Sequence, residues 1–366
     1  MQRLLVAACA FALVMTLTVR ADEAKDKEKK KAESPKDIFQ ELVKKYQATE
    51  DEDEQAKLFT TYGQKLVDFA KANSKEDSAF EALSFVMNIP ASPGKGTPKE
   101  QAIAILTKEY AKGDKIAPLV GNLSASDDAT TGLLVTIFTG NPDKKIQGTA
   151  CVKLIEGKEN TLATVMRLKS DDKARATYDK SFGKGAAKKV IDDLETTKKD
   201  MAAYVKTLRA DYKDSAKGLF IGDKMPELTS ENLEGDKVKL SDIKDKVVVL
   251  DMWATWCPPC RAMIPHEREL VKRLEKKPFA LVSVSFDDKK ETLTKFIDKN
   301  PMPWTHWHDG RTGMIAEKLS IRSFPTIYVL DHKGVIRFKS VRGKAMDAAV
   351  ESLLAELEDE KKAKTE

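Results

Sequence analysis

The pattern of apolar and polar residues changes near residue 215, and this change separates two regions with different predicted secondary structure. In residues 35–214, apolar side chains recur every three or four positions, as in helices that bury one face. Beyond residue 226, short apolar, β-branched runs alternate with helical stretches, which predicts the strands and helices of an α/β sheet. We therefore expect an all-α region followed by an α/β domain.

The first region reads as a series of amphipathic helices separated by short breaks. Ser34 is placed to cap the first helix, and Pro35 suits its first turn. A loop or hinge is predicted from Pro90 to Pro98, and the last helix from about Ala186 to Tyr212. This rhythm resembles helical-repeat scaffolds of the HEAT kind, without a clear repeat consensus. The other predicted helices lie near residues 58–70, 80–86, 103–110, 133–138, 146–154 and 162–168.

The second region contains several short strand-like stretches, of which 247–252 is strongly apolar. A hairpin turn is predicted at Asp331-His332-Lys333-Gly334, between the last two strands. Strands are predicted near residues 238–240, 247–252, 279–286, 326–330 and 335–340, and helices near 259–276, 290–300, 314–319 and 346–358.

The amino-terminal residues have the composition of a targeting segment. Arg3 is followed by an apolar run from Leu4 to Val19, which is shorter than the ~20 residues of a membrane-spanning helix. We expect cleavage after Ala21, with an uncleaved anchor as the alternative, and export to the periplasm or cell envelope. The resulting predicted organisation is a signal peptide (1–21), a charged tether (22–34), a helical domain (35–214), a linker (215–226), an α/β domain (227–358) and a disordered tail (359–366).

Charge excludes one broad class of function. The formal net charge of +5 arises from 63 basic and 58 acidic residues, and both signs are spread along the whole length. Such a surface has no basic face for a phosphate backbone, so we expect no nucleic-acid partner.

The most informative stretch is Val247–Met263, in which an apolar strand runs through a short aromatic loop into Cys257-Pro258-Pro259-Cys260 and a helix. A cysteine at the start of a helix meets free backbone N–H groups and the positive end of the helix dipole, which stabilise a thiolate. The sequence therefore predicts a site for dithiol–disulfide exchange. Asp251 lies within the apolar strand, where burial would favour its neutral form and bring its titration near working pH.

Other uses of the cysteine pair fit the sequence less well. Zinc needs four ligands, and a second CxxC or an HxxxH is missing, so we expect no metal. His306 and His308 alternate along a short strand, which predicts that both lie on one exposed face. Haem attachment would need a histidine where Arg261 stands. A purely structural disulfide remains the plain alternative, and Cys151, on an apolar helical stretch, is expected to pack in the core.

Residues from about Leu219 to Leu354 resemble the thioredoxin fold, in particular the TlpA/ResA-like thiol-disulfide reductases of the redoxin family. The resemblance rests on the run from Asp251 to Cys260, on Pro265 in the following helix, and on Ser323-Phe324-Pro325-Thr326. It also covers an inserted helix and strand within Asp287–Asp309. A peroxidase of the peroxiredoxin kind shares this fold but needs Thr where Ala254 stands.

The resemblance implies a role for each matching residue. Cys257 would be the exposed nucleophile, and Cys260, more deeply buried, would resolve the mixed disulfide. Asp251 would accept the proton of Cys260. Pro325 would be a cis-proline facing the cysteines, and the backbone of Phe324 would pair with an extended substrate. The remaining expected site residues are Trp256, which would shield the site, and Pro258, which would stiffen the turn. Trp253 is expected either to shield the site with Trp256 or to pack in the core.

Taken with the predicted export, the resemblance implies an enzyme that reduces disulfides in exported proteins. It would need no cofactor beyond its own thiols, and a membrane thiol transporter would supply its electrons. Two alternatives stay open: a client-specific binding or scaffold protein whose helical domain recruits an unknown partner, and a disulfide oxidase or isomerase, which shares the arrangement but differs in redox potential.

Overall fold

The structure, a computed structural model, describes residues 33–90 and 95–363. The predicted signal peptide, most of the predicted tether and the last three residues lie outside this range. The chain divides into two compact units, Met1–Leu154 and Ile155–Glu366. Within the described residues, no helix has the length and apolar character needed to cross a membrane.

The first unit is built from helices, as the apolar periodicity predicted. Ser34 caps the first helix: its hydroxyl accepts the N–H of Asp37, whose carboxylate accepts the N–H of Ser34 in return. Leu42, Leu66 and Leu83 are fully buried in the core of this unit. Its helices are α1 (Pro35–Ala48), α2 (Glu52–Ala72), α3 (Asp77–Asn88), α4 (Pro98–Ile105), α5 (Ala117–Val120), α6 (Asp128–Gly140) and the first part of α7 (Lys144–Ser170).

The second unit begins inside α7 and continues through α8 (Asp172–Phe182), α9 (Ala186–Asp192) and α10 (Leu194–Asp211). The single long helix predicted for 186–212 is therefore wrong: the chain breaks at Asp193, which caps the end of α9 and the start of α10. The predicted linker at 215–226 lies inside this unit, and the independence of the domains predicted on either side of it stays a prediction.

A buried ion pair ties α7 to the following α/β region within the second unit. Glu159 of α7 is 6% exposed; one carboxylate oxygen accepts from Lys339 at 2.8 Å and the other accepts the N–H of Ile221 at 3.0 Å. Burial raises the pKa of Glu159, whereas Lys339 acts in the opposite direction. Because a buried carboxylate needs these partners, α7 and the α/β region are fastened together here.

The α/β region contains the predicted sheet, which is mixed and has seven strands in the order β2-β1-β5-β4-β3-β6-β7. The pairs β3–β4 and β4–β5 are parallel, and the other pairs are antiparallel. The strands are β1 (Thr229–Asn232), β2 (Lys237–Lys239), β3 (Val247–Trp253), β4 (Phe279–Ser285), β5 (Thr305–His308), β6 (Thr326–Leu330) and β7 (Ile336–Lys339). The helices are α11 (Pro258–Arg261), α12 (Ile264–Arg273), α13 (Lys290–Lys299), α14 (Met314–Lys318) and α15 (Lys344–Ala363).

The five strands predicted from apolar runs are confirmed to within two residues at their ends, and α13 and β5 are the inserted helix and strand that the resemblance implied. β1 was missed because Thr-Ser-Glu-Asn has no apolar run to mark it. All seven residues of β3 are buried, since this strand lies inside the sheet between β4 and β6. The carboxyl end of β3 delivers the chain to the cysteine pair.

Candidate active site

The loop after β3 places Cys257 at the start of a helix. Cys257 is the N-cap of α11, and its Sγ accepts the backbone N–H of Cys260 at 3.3 Å. The two prolines that follow suit the first helical positions because their missing N–H groups have no intrahelical partner there. A disulfide joins Cys257 to Cys260, with their Cα atoms 5.3 Å apart. The helix then breaks at Ala262 and Met263, and α12 begins with Pro265 in its first turn.

The predicted difference in exposure between the two cysteines is wrong for this disulfide-bonded form. Cys257 is 4% exposed and Cys260 is 3% exposed. The covalent bond holds both sulfurs in one apolar cluster, which also contains Trp253, Ile264 and Leu293. Neither sulfur is exposed in the disulfide-bonded form.

An exposed aromatic surface lies beside the disulfide. Trp256 is 53% exposed, and its ring meets that of Phe324 edge to face at a centroid distance of 5.6 Å. Phe324 in turn lies 5.0 Å from Phe286. Trp253 is 1% exposed and packs edge to face on Phe296 at 5.6 Å, so of the two predicted shielding tryptophans this one belongs to the core.

Pro325 adopts the cis conformation that the resemblance implied, in the Phe324–Pro325 peptide. Arg342 donates to the carbonyl oxygen of Pro325 at 3.2 Å and so ties this loop to the segment after β7. Pro258 is exposed at the surface of the turn.

Asp251 lies in the middle of the sheet, 3% exposed, as its apolar surroundings predicted. Its Oδ2 accepts from the hydroxyl of Ser283, the register partner on β4, at 3.5 Å. That hydroxyl accepts the indole N–H of Trp304 at 2.8 Å, which directs the Ser283 proton toward Asp251. Burial raises the pKa of Asp251 to about 7, while Ser283 and then Arg342 act in the opposite direction.

A second buried acid, Glu267 on α12, was missed by sequence reasoning. Its side chain is 1% exposed, and burial together with the charge of Asp251 raises its pKa to about 9. The helical spacing contained a signal, because Ile264, Glu267 and Leu270 fall on one face of α12 and the two apolar residues mark that face as buried.

Asp287, just after β4, is a third buried acid and fixes the loop that carries Cys257. Its carboxylate accepts from the backbone N–H of Thr255 at 3.1 Å, from the Thr255 hydroxyl at 2.6 Å and from the Ser285 hydroxyl at 2.8 Å. Thr255 stands two residues before Cys257. These bonds are charge-assisted, so Asp287 is a strong anchor for the cysteine loop.

Replacing Asp287 with asparagine should loosen this anchor. An amide has one acceptor oxygen, so at least one donor on Thr255 or Ser285 is left unpaired in a buried place. We expect the Asp287→Asn variant to lose about 1–3 kcal/mol of unfolding free energy, measured by urea denaturation of the oxidised protein, and to exchange disulfides more slowly. Asp288→Asn, which alters only an exposed pair with Arg311, is the matched control and should change stability by less than about 1 kcal/mol. Equal effects in both variants would contradict the anchoring role.

The two histidines of β5 do not lie on an exposed face, which corrects the prediction. His306 is 5% exposed and its Nε2 donates to the carbonyl of Met302 at 2.9 Å. Burial lowers the pKa of His306. His308 donates through Nε2 to the carbonyl of Asp287 at 2.8 Å. His306 is therefore buried and His308 half-buried.

The described residues contain no group of three or more His, Cys, Asp or Glu side chains placed to hold a metal ion. Cys151 is buried in α7 as predicted, and burial raises the pKa of its thiol to about 12. A thiol of this kind is a poor nucleophile.

Comparison with known proteins agrees with this geometry. The sequence model of the AhpC/TSA family matches residues 221–339. The thiol-disulfide oxidoreductase ResA of Oceanobacillus iheyensis is 32% identical over 140 residues, which cover 37% of this chain and 72% of that protein. This chain belongs to the ResA-like thiol-disulfide oxidoreductases. The thioredoxin-like protein YneN of Bacillus subtilis is 34% identical over 129 residues, which cover 34% of this chain and 74% of that protein.

Among solved structures, the thioredoxin domain of a thiol-disulfide oxidoreductase from Bacteroides vulgatus is 29% identical, covering 37% of this chain and 99% of that one, with a TM-score of 0.36. The prediction that the chain is an enzyme of thiol–disulfide exchange is confirmed by its relatives. As a ResA-like protein, it carries its matched region in the carboxyl-terminal part of the chain, whereas residues 35–154 form a helical unit outside the match.

Proposed function

We propose that this ResA-like protein is exported and reduces disulfides of other exported proteins through a dithiol formed by Cys257 and Cys260. One observation carries the proposal: Cys257 Sγ lies at the start of a helix, accepts the N–H of Cys260 and is joined to Cys260 in a disulfide. A sulfur that accepts a backbone N–H at a helix start is stabilised as an anion, which is the nucleophile in disulfide exchange.

The reduced enzyme would act in two steps. The Cys257 thiolate attacks one sulfur of the substrate disulfide, and the other substrate sulfur leaves as a thiolate that takes a proton from solvent. Cys260 then gives its proton to Asp251 and attacks the Cys257 sulfur, so the bond between Cys257 and the substrate breaks. The second substrate sulfur leaves as a thiolate, which takes a proton from Asp251 or from solvent. The substrate gains two electrons and two protons overall, and the enzyme is left with its disulfide.

The surface around the sulfurs supports an extended protein substrate. Trp256 and Phe324 provide exposed apolar contacts, and the backbone near Phe324 offers hydrogen bonds to a strand laid beside it. Electrons would return from a membrane thiol transporter, and no cofactor beyond the two thiols takes part.

The redox potential of the Cys257–Cys260 pair tests the direction of electron flow. A reductase should equilibrate with glutathione or dithiothreitol at a value more negative than about −200 mV, and the reduced protein should reduce insulin. A potential near about −120 mV would instead assign the protein to the disulfide-forming oxidases. The Cys260→Ala variant traps substrates as mixed disulfides with Cys257 and so shows how many proteins the enzyme acts on. Mixed disulfides with many exported proteins support a general reductase, and a single trapped protein would favour a client-specific role.

A further inference from the structure

Glu267 occupies a place on α12 that an apolar residue would normally fill. Ile264, Leu270 and Leu274 flank it on the buried face, and each is less than a tenth exposed. Glu267 itself is 1% exposed, and its Oε1 has no hydrogen-bond partner among residues 33–90 and 95–363. A carboxyl group in such a place is costly when ionised and unpaired, so its presence needs a reason other than packing.

The position of Glu267 connects it to both Cys260 and Asp251. Along the helix, the N–H of Met263 donates to the carbonyl of Cys260 at 3.0 Å, and the N–H of Glu267 donates to that of Met263 at 3.1 Å. Glu267 therefore follows the resolving cysteine by two hydrogen-bonded turns. On the sheet side it interacts with Asp251, whose charge disfavours ionisation of Glu267.

Asp251 and Glu267 each have a buried carboxyl oxygen without a hydrogen-bond partner in the described part of the chain. These atoms are Oδ1 of Asp251 and Oε1 of Glu267. Two buried carboxylates that interact repel each other when both are ionised, so the state of lowest free energy for such a pair holds one proton.

The charged groups nearby do not relieve this repulsion. Arg342 lowers the cost of the Asp251 charge, but its guanidinium is engaged by the carbonyl of Pro325. On the other side, His266 is paired through Nε2 with Asp347 of α15 at 2.8 Å. The neutral hydroxyl of Ser283 completes the surroundings of Asp251.

We propose that Glu267 is a positioning residue for the proton transfer, forming with Asp251 an acid pair that keeps one proton at rest and takes a second from Cys260. This rests on the proposed exchange mechanism. In the resolving step the Cys260 sulfur loses its proton to Asp251, its electron pair forms the bond to Cys257, and the substrate sulfur leaves with the pair from the broken bond. Glu267 stays protonated, so Asp251 carries the one negative charge of the acid pair.

The consequence is an alkaline limit on resolution. Glu267 holds its proton up to its pKa of about 9, and at higher pH a second negative charge enters the same buried layer. A second negative charge there disfavours the thiolate of Cys260. The wild-type rate of resolution by Cys260 should therefore stop rising with pH near pH 9. In a protein without Glu267, that rate should continue to rise.

The reaction with 5,5′-dithiobis(2-nitrobenzoate) separates the steps. Every protein carries Cys9→Ser and Cys151→Ser, so that Cys257 and Cys260 supply the thiols. Attack by Cys257 releases one thionitrobenzoate, and attack by Cys260 on the resulting mixed disulfide releases a second. The rate of the second release is followed from pH 6 to pH 10 by stopped-flow absorbance. Release of fewer than two equivalents by the unaltered pair would refute the dithiol mechanism itself, apart from any role of Glu267.

We expect the second release of thionitrobenzoate to have the same rate in Glu267→Gln as in the protein with Glu267 at pH 8. At pH 10, where roughly nine-tenths of Glu267 is ionised, the Glu267→Gln rate should be higher by about fivefold or more. Glu269→Gln, the same change on the exposed side of α12, should follow the unaltered profile throughout. If Glu267→Gln does not fold, Glu267→Leu restores the apolar face and should show the same alkaline gain. If the Glu267 variant releases two equivalents and its second-release rate depends on pH as in the protein with Glu267, the proposed role of Glu267 is refuted. The exchange mechanism would then still stand.

Discussion

The Cys257→Ser variant should reduce no insulin above the rate of dithiothreitol alone, a loss on the order of 10³-fold or more. The reason is chemical: a serine hydroxyl at this helix start is not ionised near neutral pH and does not form the mixed disulfide. The measurement is the turbidity of insulin chains with dithiothreitol as the electron source.

The matched control is Cys151→Ser, which removes a buried thiol of α7 and should keep the full rate. Cys260→Ala should behave differently from both variants, because its first thiol remains and holds the substrate covalently. Normal insulin reduction by Cys257→Ser would refute the assignment of the nucleophile, whatever the other two variants do.

Asp251→Asn should slow the resolving step by about 10²-fold at pH 8, because the amide cannot take the proton of Cys260. The first attack, by Cys257, should change much less. Stopped-flow release of the second thionitrobenzoate measures the loss, and the wild-type rate should rise through pH 7, where Asp251 ionises. The matched control is Ser283→Ala, which removes the hydroxyl that Asp251 accepts from and leaves the acid in place. Equal second-phase rates in wild type and Asp251→Asn would contradict the proton-acceptor role.

The same substitution should change how stability depends on pH. Burial raises the pKa of Asp251 from 3.8 to about 7, so its contribution to stability is fully present below pH 4 and is lost as the pH rises through 7. Wild type should therefore lose stability relative to Asp251→Asn between about pH 4 and pH 7, in urea unfolding of the oxidised protein. The difference between the two proteins cancels the titration of surface carboxylates. A difference that stays constant over this window would show that Asp251 is not buried as an acid.

Sequence reasoning worked where local chemistry decides the outcome. The β-branched run of β3 can only be buried, and a cysteine followed by two prolines fits only the start of a helix. It was weaker where burial depends on distant neighbours. Asp287 looks like an ordinary surface acid along the chain, and the charge of Glu267 hid the buried face that it shares with Ile264 and Leu270, yet both acids are buried.

The prediction that His306 lies on an exposed face failed for a related reason. Strand alternation predicts which residues share a face, but it does not say whether that face is covered, and the structure buries His306 and half-buries His308. The break at Asp193 is a failure of another kind. Apolar spacing continues across residues 186–212, so periodicity alone cannot detect a local interruption of the helix.

The two hydrogen bonds from Thr255 to the Asp287 carboxylate affect which kinds of substrate protein the enzyme binds. A segment pinned this close to Cys257 has little conformational entropy left to lose when a covalent complex forms. Because this loop is held in place, the other chain must adapt its shape to the site, which favours partners whose cysteine lies in a flexible or frayed stretch over those whose disulfide is locked inside a compact domain.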